Sequence, residues 1–162
     1  MLSKNSSENS AIKDLIEIIA SKKRNKESNI KLKCQCVPKI MLVDDNDFNL
    51  MPLNLLISQL FQIKTELAFN GQQAINLFVE NYEKTCKCEN RGFKFIFMDL
   101  NMPEVDGFEA SEQIINILKK DKNEDYCHIV ALTSYTGLDV RQRCLNIGMK
   151  DAITKPINHK DL

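Results

Sequence analysis

The sequence predicts an α/β domain built on a doubly wound parallel sheet of five strands. Three observations predict it. From Lys39 onward, five short apolar runs alternate with four segments of helical spacing. Four of the strands stop at polar groups: Asp44-Asp45, Asp99, Thr133 and Lys155. Strands joined through helices pair in parallel with right-handed crossovers, so these four ends share one edge of the sheet.

The elements follow in order. Residues 1 to about 10 are polar and read as disordered. Ile12, Leu15, Ile16 and Ile19 make one apolar stripe at helical spacing, read as a short linker helix. A basic, polar stretch, Ser21 to Ser28, reads as a solvated linker. This places a tail, amphipathic helix and linker over 1–37 and the folded domain over 38–162. Strand one is 39–44. Helix one is about 48–60, where Pro52 is tolerable only near the start, since an interior proline removes a hydrogen bond. Strand two is about 63–69 and ends at Asn70-Gly71; helix two is about 72–83. Strand three is 93–99, helix three about 107–119, and strand four 128–132 with Thr133-Ser134 at its end. Helix four is about 137–147, closed by Gly148, and strand five is about 151–154 with Lys155-Pro156 after it. The last residues, Ile157 to Leu162, read as the first turn of a truncated fifth helix.

The central stretch is Phe95-Ile96-Phe97-Met98-Asp99. An apolar run reads as a buried strand, and one carboxylate stands where the run stops. An unpaired carboxylate is costly to bury, but at the carboxyl end of a strand it faces the crevice where such sheets hold ligands. Pro103 ends the strand, and Asp106-Gly107 turns the chain into a helix. Ile40-Met41-Leu42-Val43 followed by Asp44-Asp45 has the same grammar. Three carboxylates in one pocket cannot all stay ionised without a cation, and oxygen ligands favour Mg²⁺. With Thr133 and Lys155 at the same edge, the set suits phosphoryl transfer: a carboxylate nucleophile, a hydroxyl donor, and positive charge to neutralise the phosphoryl oxygens.

Composition narrows the function. The 162 residues carry 22 basic and 22 acidic side chains, with 43% apolar residues. That balance does not point to nucleic acid or an anionic membrane. No apolar run is long enough to span a bilayer, and the polar start lacks a secretory core. A cytoplasmic, intracellular setting is expected, where the six cysteines are thiols or metal ligands before disulfides.

These residues resemble the receiver domain of two-component response regulators, in the form carried by hybrid histidine kinases. The matching motifs are Val43-Asp44-Asp45-Asn46, Met98 to Pro103 with Asp106-Gly107, Ala131-Leu132-Thr133-Ser134, and Thr154-Lys155-Pro156, with Ala68 to Ala74 fitting the second strand and helix. The resemblance covers about residues 38–162. It implies a flavodoxin-like fold with strand order 2-1-3-4-5. It implies that Asp99 accepts the phosphoryl group from a phosphohistidine on a histidine kinase or histidine phosphotransfer protein. Asp45 and Asp99 would ligate Mg²⁺ directly, with the Asn101 backbone carbonyl, while Asp44 holds metal-bound water. Lys155 would pair with Asp99 and then with the phosphoryl group, and Thr133 would be drawn to it, shifting the loop after strand four. Asn101 and Tyr135 flank the site and would tune the lifetime of the phosphate.

Two departures stand out. Ala152 occupies the position, three before the lysine, where such receivers carry an aromatic switch residue; Tyr135 is the candidate to supply some of that packing. The missing fifth helix should expose apolar surface, unless the chain is a fragment or the Ile12–Ile19 stripe covers the gap.

The cysteines pose a separate question. Cys34 and Cys36 precede strand one, and Cys86 and Cys88 precede strand three. Neighbouring strands would bring both pairs to the amino edge, where four thiolates could hold a structural Zn²⁺. The alternative is four unlinked thiols. Cys127 and Cys144 read as buried positions.

Two other functions compete with the phosphoacceptor. A Mg²⁺-dependent aspartyl-phosphate phosphatase would usually carry an acid two residues after its nucleophile, where this chain has Asn101, and would need a substrate cap. A degenerate receiver acting as a protein-binding module would keep the fold and lose the chemistry. The chain shows no glycine-rich ATP cradle, having only five glycines, so kinase activity of its own is not expected.

Overall fold

The structure, a computed structural model, describes residues 38–83, 92–135 and 137–157. Five strands form one parallel sheet in the order β2-β1-β3-β4-β5. They are β1 (Lys39–Val43), β2 (Lys64–Ala68), β3 (Phe93–Asp99), β4 (His128–Thr133) and β5 (Asp151–Thr154). Four helices connect them: α1 (Asp47–Phe61), α2 (Gly71–Tyr82), α3 (Gly107–Lys120) and α4 (Leu138–Ile147). The architecture and order agree with the expectation from sequence. A single turn of 3₁₀-helix, Glu124–Tyr126, precedes β4 and carries no periodicity that would reveal it.

The central strands are apolar on both faces because both faces are covered. Ile40, Leu42, Phe95, Phe97, Val130, Leu132 and Ile153 pack with Leu50, Leu53, Ile57 and Phe61 of α1. Met41, Val43, Ile96, Met98, Ile129 and Ala131 alternate to the opposite face and meet α2, α3 and α4. Strand period two thus separates two cores across one sheet.

Side-chain caps start three helices. Asn46 accepts from the Phe48 N–H at 2.9 Å, Asn70 from Gln73 at 2.7 Å, and Asp106 from Glu109 at 2.8 Å. Each satisfies a donor that the first helical turn leaves without a partner. Gln73 in turn accepts from the Phe69 N–H at 2.6 Å. Gly148, at φ 112°, ends α4 with its N–H on the Cys144 and Leu145 carbonyls. Asp151 of β5 accepts from the Arg141 guanidinium of α4 at 2.9 Å.

Pro52 departs from expectation. It is the sixth residue of α1, beyond the first turn, and it is exposed. Phe48 and Pro52 both stand on the exposed side of α1, where water can replace the donor that the proline removes from the Phe48 carbonyl. Asp44 also leaves the predicted strand: β1 stops at Val43, and the Asp44 carboxylate turns into the pocket.

His128 opens β4 with its ring at the edge of Phe95, centroids 5.6 Å apart. Burial pushes its pKa down, the Lys150 and Lys94 charges add to that, and Asp125 opposes. The unfolded chain therefore binds the His128 proton more readily, and stability should fall as pH drops below about 6.5. In urea titrations across that range, His128→Gln should flatten the pH dependence.

Among the described residues, no helix is long and apolar enough to cross a membrane. Cys127 and Cys144 are buried thiols, as expected; burial pushes Cys127 up to about 12, against the nearby Lys94 charge. Cys34, Cys36, Cys86 and Cys88 lie outside the described residues, as do the Ile12–Ile19 stripe and residues 158–162.

Candidate functional site

The site forms where β1, β3, β4 and β5 reach the same edge. Asp99 is the last residue of β3, and Asp44 follows β1 directly. Both are buried, whereas Asp45 is exposed. Carboxylate oxygens of Asp44, Asp45 and Asp99 lie within 4.8 Å of one another. Lys155, one residue beyond β5, reaches between two of them. Its Nζ donates to Asp44 Oδ2 at 2.5 Å and to Asp99 Oδ1 at 2.6 Å.

The pairing with Asp44 adds to the expected pairing with Asp99, and it has an electrostatic reason. Burial would push the ammonium towards neutrality, but bonds and charge from Asp44 and Asp99 raise its pKa overall. Asp99 shows the converse. Burial raises its pKa first, the Lys155 bond and charge pull it down, and the charges of Asp44 and Asp45 raise it again, for a net rise. One ammonium thus serves a crowded acid group, and a further cation would complete the neutralisation.

Asp44 is held by more than Lys155. The Asn46 N–H donates to its Oδ1 at 2.9 Å, and Asn49 Nδ2 lies 2.9 and 3.1 Å from its two oxygens. The sequence reading missed Asn49. The only local signal was its place in the first turn of α1, close to the end of β1.

Thr133 is buried at the end of β4, and its Oγ1 accepts from the Tyr135 N–H at 3.0 Å. That bond uses a lone pair and leaves the hydroxyl proton for another acceptor. The Thr133 carbonyl accepts from the Lys155 N–H at 2.8 Å, which locks the two strand ends together. The Lys155–Pro156 peptide bond is cis. Asn101 is exposed on the loop after β3. Ala152 lies half-buried against the core that α2, α3 and α4 share. Tyr135 does not fill in for the missing aromatic: it is 62% exposed and is not among the residues packed on that core.

Gly107 fixes the path of the loop. Its N–H donates to the Leu100 carbonyl at 3.1 Å, and a Cβ there would sit 2.0 Å from the Asp99 carbonyl oxygen. The obstacle is backbone, which cannot rotate away. Gly107→Ala should cost at least about 3 kcal/mol in a denaturant titration and displace Asp99.

The comparisons with known proteins agree with this geometry. A family model described as the response regulator receiver domain matches residues 40–162. Hybrid signal transduction histidine kinase B of Dictyostelium discoideum is 34% identical over 134 residues, covering 78% of this chain and 6% of that protein. The chain spans 6% to 12% of the length of the first curated relatives it matches. Among solved structures, one similar chain belongs to the co-crystal of the Saccharomyces cerevisiae histidine phosphotransfer signaling protein Ypd1 and the receiver domain of its downstream response regulator Ssk1. It has a TM-score of 0.64 and 30% identity, covering 78% of this chain and 83% of that one. Another is the receiver domain of the Arabidopsis thaliana histidine kinase CKI1 complexed with Mg²⁺, with a TM-score of 0.63 and 26% identity, covering 74% and 84%. With the sheet order, the acid cluster and the bridging lysine each in place, the match of the family model over 123 residues, 40 to 162, settles the family: this chain belongs to the response regulator receiver domains.

Proposed function

We propose that this chain is a phosphoacceptor that takes a phosphoryl group from a protein phosphohistidine onto Asp99. The observation that carries the reading is Lys155 bonded to both Asp44 and Asp99 beside a third carboxylate, Asp45. Asp99 Oδ attacks phosphorus, the bond to the histidine nitrogen breaks, and an acyl phosphate forms on Asp99 while the freed imidazole takes up a proton. Lys155 keeps Asp99 ionised before transfer and neutralises phosphoryl oxygen charge after it. Thr133 offers its hydroxyl proton to a phosphoryl oxygen, and its bond with the Tyr135 N–H links that movement to the loop after β4.

The donor set fits Mg²⁺: three carboxylates and no nitrogen or sulfur ligand. Asp45, Asp99 and the Asn101 carbonyl would hold the ion, with Asp44 bonding its water. Bound there, Mg²⁺ supplies positive charge against the phosphoryl oxygens. The CKI1 receiver complexed with Mg²⁺ supports the assignment. The co-crystal of Ypd1 with the Ssk1 receiver supports a histidine phosphotransfer protein as partner, and the Dictyostelium relative supports a histidine kinase. In this reading residues 38–162 are the phosphoacceptor, residues 1–37 its tail and linker, and the setting is intracellular. The chain promotes its own phosphorylation and dephosphorylation without being an enzyme on a separate substrate. The phosphatase reading finds no support in the relatives or in an acid at position 101. Intact Asp44, Asp45, Asp99, Thr133 and Lys155 speak against a degenerate binding module, although Ala152 removes one aromatic from the switch.

The test is intact mass after incubation with Mg²⁺ and acetyl phosphate. One phosphoryl adduct, lost when EDTA is present, is the expected result. A folded protein that gains no adduct would sink the reading.

A further inference from the structure

Helices α2 and α3 each follow a strand and return along the same face of the sheet. Their carboxyl ends therefore lie side by side at the amino edge, away from Asp99. A cavity of about 450 Å³ opens between those ends. That is within the range of small-ligand sites, and larger than the groove of about 160 Å³ beside Asp44 and Lys155. Each helix supplies it with residues at i, i+3 and i+4: Val79, Tyr82 and Glu83 from the end of α2, and Ile117, Lys120 and Asp121 from the end of α3. Val79 and Ile117 are half-buried and Tyr82 is buried, which makes an apolar floor. Tyr82 is held by a stack on Phe78 and an edge contact with Tyr126, with centroids 5.4 and 5.0 Å away. Its hydroxyl accepts from Asn123 Nδ2 at 3.2 Å. Glu83, Lys120 and Asp121 are exposed and form the rim.

The charges of that rim run against the helices that carry it. A helix ends in partial negative charge, which favours cations in the last turn. Both helices are instead capped by acids, Glu83 and Asp121, and the last turn of α2 has no basic residue. The helices are parallel, so their negative ends add rather than cancel. Among the described residues, neither carboxylate takes an ion pair or a side-chain hydrogen bond, and Lys120 pairs with neither. A cation held between the two acids would relieve this repulsion.

The lining narrows the kind of cation. Two exposed carboxylates do not replace the roughly six to eight oxygens that a hard metal ion takes. The apolar floor suits an aliphatic stem with a charged head. Acids on two separate helices suit a planar head with several donors, and guanidinium gives up its weak hydration more readily than an ammonium does.

We propose that the cavity between the ends of α2 and α3 binds a guanidinium on an aliphatic stem, the chemistry of an arginine side chain. The head lies between Glu83 and Asp121, and the stem lies on Val79, Ile117 and Tyr82. This site does not depend on the phosphoacceptor reading.

The test is an amide titration of the full chain with N-acetylarginine methylamide, its citrulline counterpart and agmatine, with Mg²⁺ present to compete at the acid pocket. The arginine compound should give saturating shifts at residues 79–83 and 117–121. The citrulline compound, neutral and of the same shape, should give none. Glu83→Gln/Asp121→Asn should weaken binding at least about tenfold, and Lys120→Gln should tighten it. The double variant should also melt higher, by about 2–4 °C, because two acids leave helix ends; unchanged β3 amides verify its fold. Both sources of the head are tested: tighter binding of agmatine identifies a free small molecule, and tighter binding of the blocked arginine identifies an arginine within a peptide. Equal shifts with citrulline overturn the proposal, as do shifts confined to Asp44, Asp45 and Asp99. A folded double variant that binds like the parent also overturns it.

Discussion

An Asp99→Ala chain incubated with Mg²⁺ and acetyl phosphate should gain no mass, where the parent chain gains one phosphoryl group. The loss is expected to be complete because the nucleophile is a particular oxygen in a particular place. Asp44 is also buried and also bonded to Lys155, but the Asn46 N–H and the Asn49 amide occupy its oxygens. Asp45 is exposed and lies off the strand end. Asp99 alone is buried at the end of the central strand with Lys155 as its side-chain donor. The fold should survive the substitution. Lys155 keeps its bond to Asp44, and the crowded site loses one costly carboxylate, so stability should stay within about 1–2 kcal/mol of the parent. An adduct that persists in Asp99→Ala would move the acceptor to another residue.

Lys155→Ala should lower stability by about 3 kcal/mol at neutral pH, the scale seen when a buried ion pair loses one partner. Lys155 has its pKa raised in the fold, so its stabilisation is fully present below the unfolded lysine value of about 10.4 and is intact at pH 7. Without it, Asp44 and Asp99 face each other with no ammonium between them. Asp99 already has a raised pKa from burial, and removing the Lys155 bond and charge raises it further. A carboxyl that binds its proton more tightly folded than unfolded makes stability fall as pH rises. The deficit of Lys155→Ala should therefore shrink as pH is lowered towards 5. Adding Mg²⁺ should restore more stability to this variant than to the parent, because a cation replaces the missing charge. Urea titrations at two pH values, with and without Mg²⁺, measure both effects. A deficit indifferent to pH and to Mg²⁺ would mean that Lys155 acts through packing.

Much of this was legible beforehand, for reasons specific to particular residues. The run Phe95 to Met98 is buried on both faces, so it reads as a central strand in any window. Asp106-Gly107 and Asn70-Gly71 announce helix starts because a short polar side chain caps the first turn. Pro52 misled because its cost depends on whether the freed carbonyl meets solvent, which is a property of the folded surface. Tyr135 misled because an aromatic near a site in sequence need not point into its core. Asn49 was missed because its partner Asp44 lies on a different element, across the turn.

By itself the sequence determined the order of strands and helices, the doubly wound sheet, and the edge at which Asp44, Asp45, Asp99, Thr133 and Lys155 meet. Periodicity, caps and strand-end chemistry are local, and a parallel sheet then aligns its carboxyl ends without further instruction. Only the tertiary structure decided that Lys155, expected to pair with Asp99, also bonds Asp44, a partner 111 positions away. It also decided that Thr133 holds the loop through the Tyr135 N–H, and that α1 turns an apolar side outward. Those outcomes depend on distances between chain segments that meet only once the sheet is assembled. Buried charge takes whichever partner the assembled geometry brings within reach.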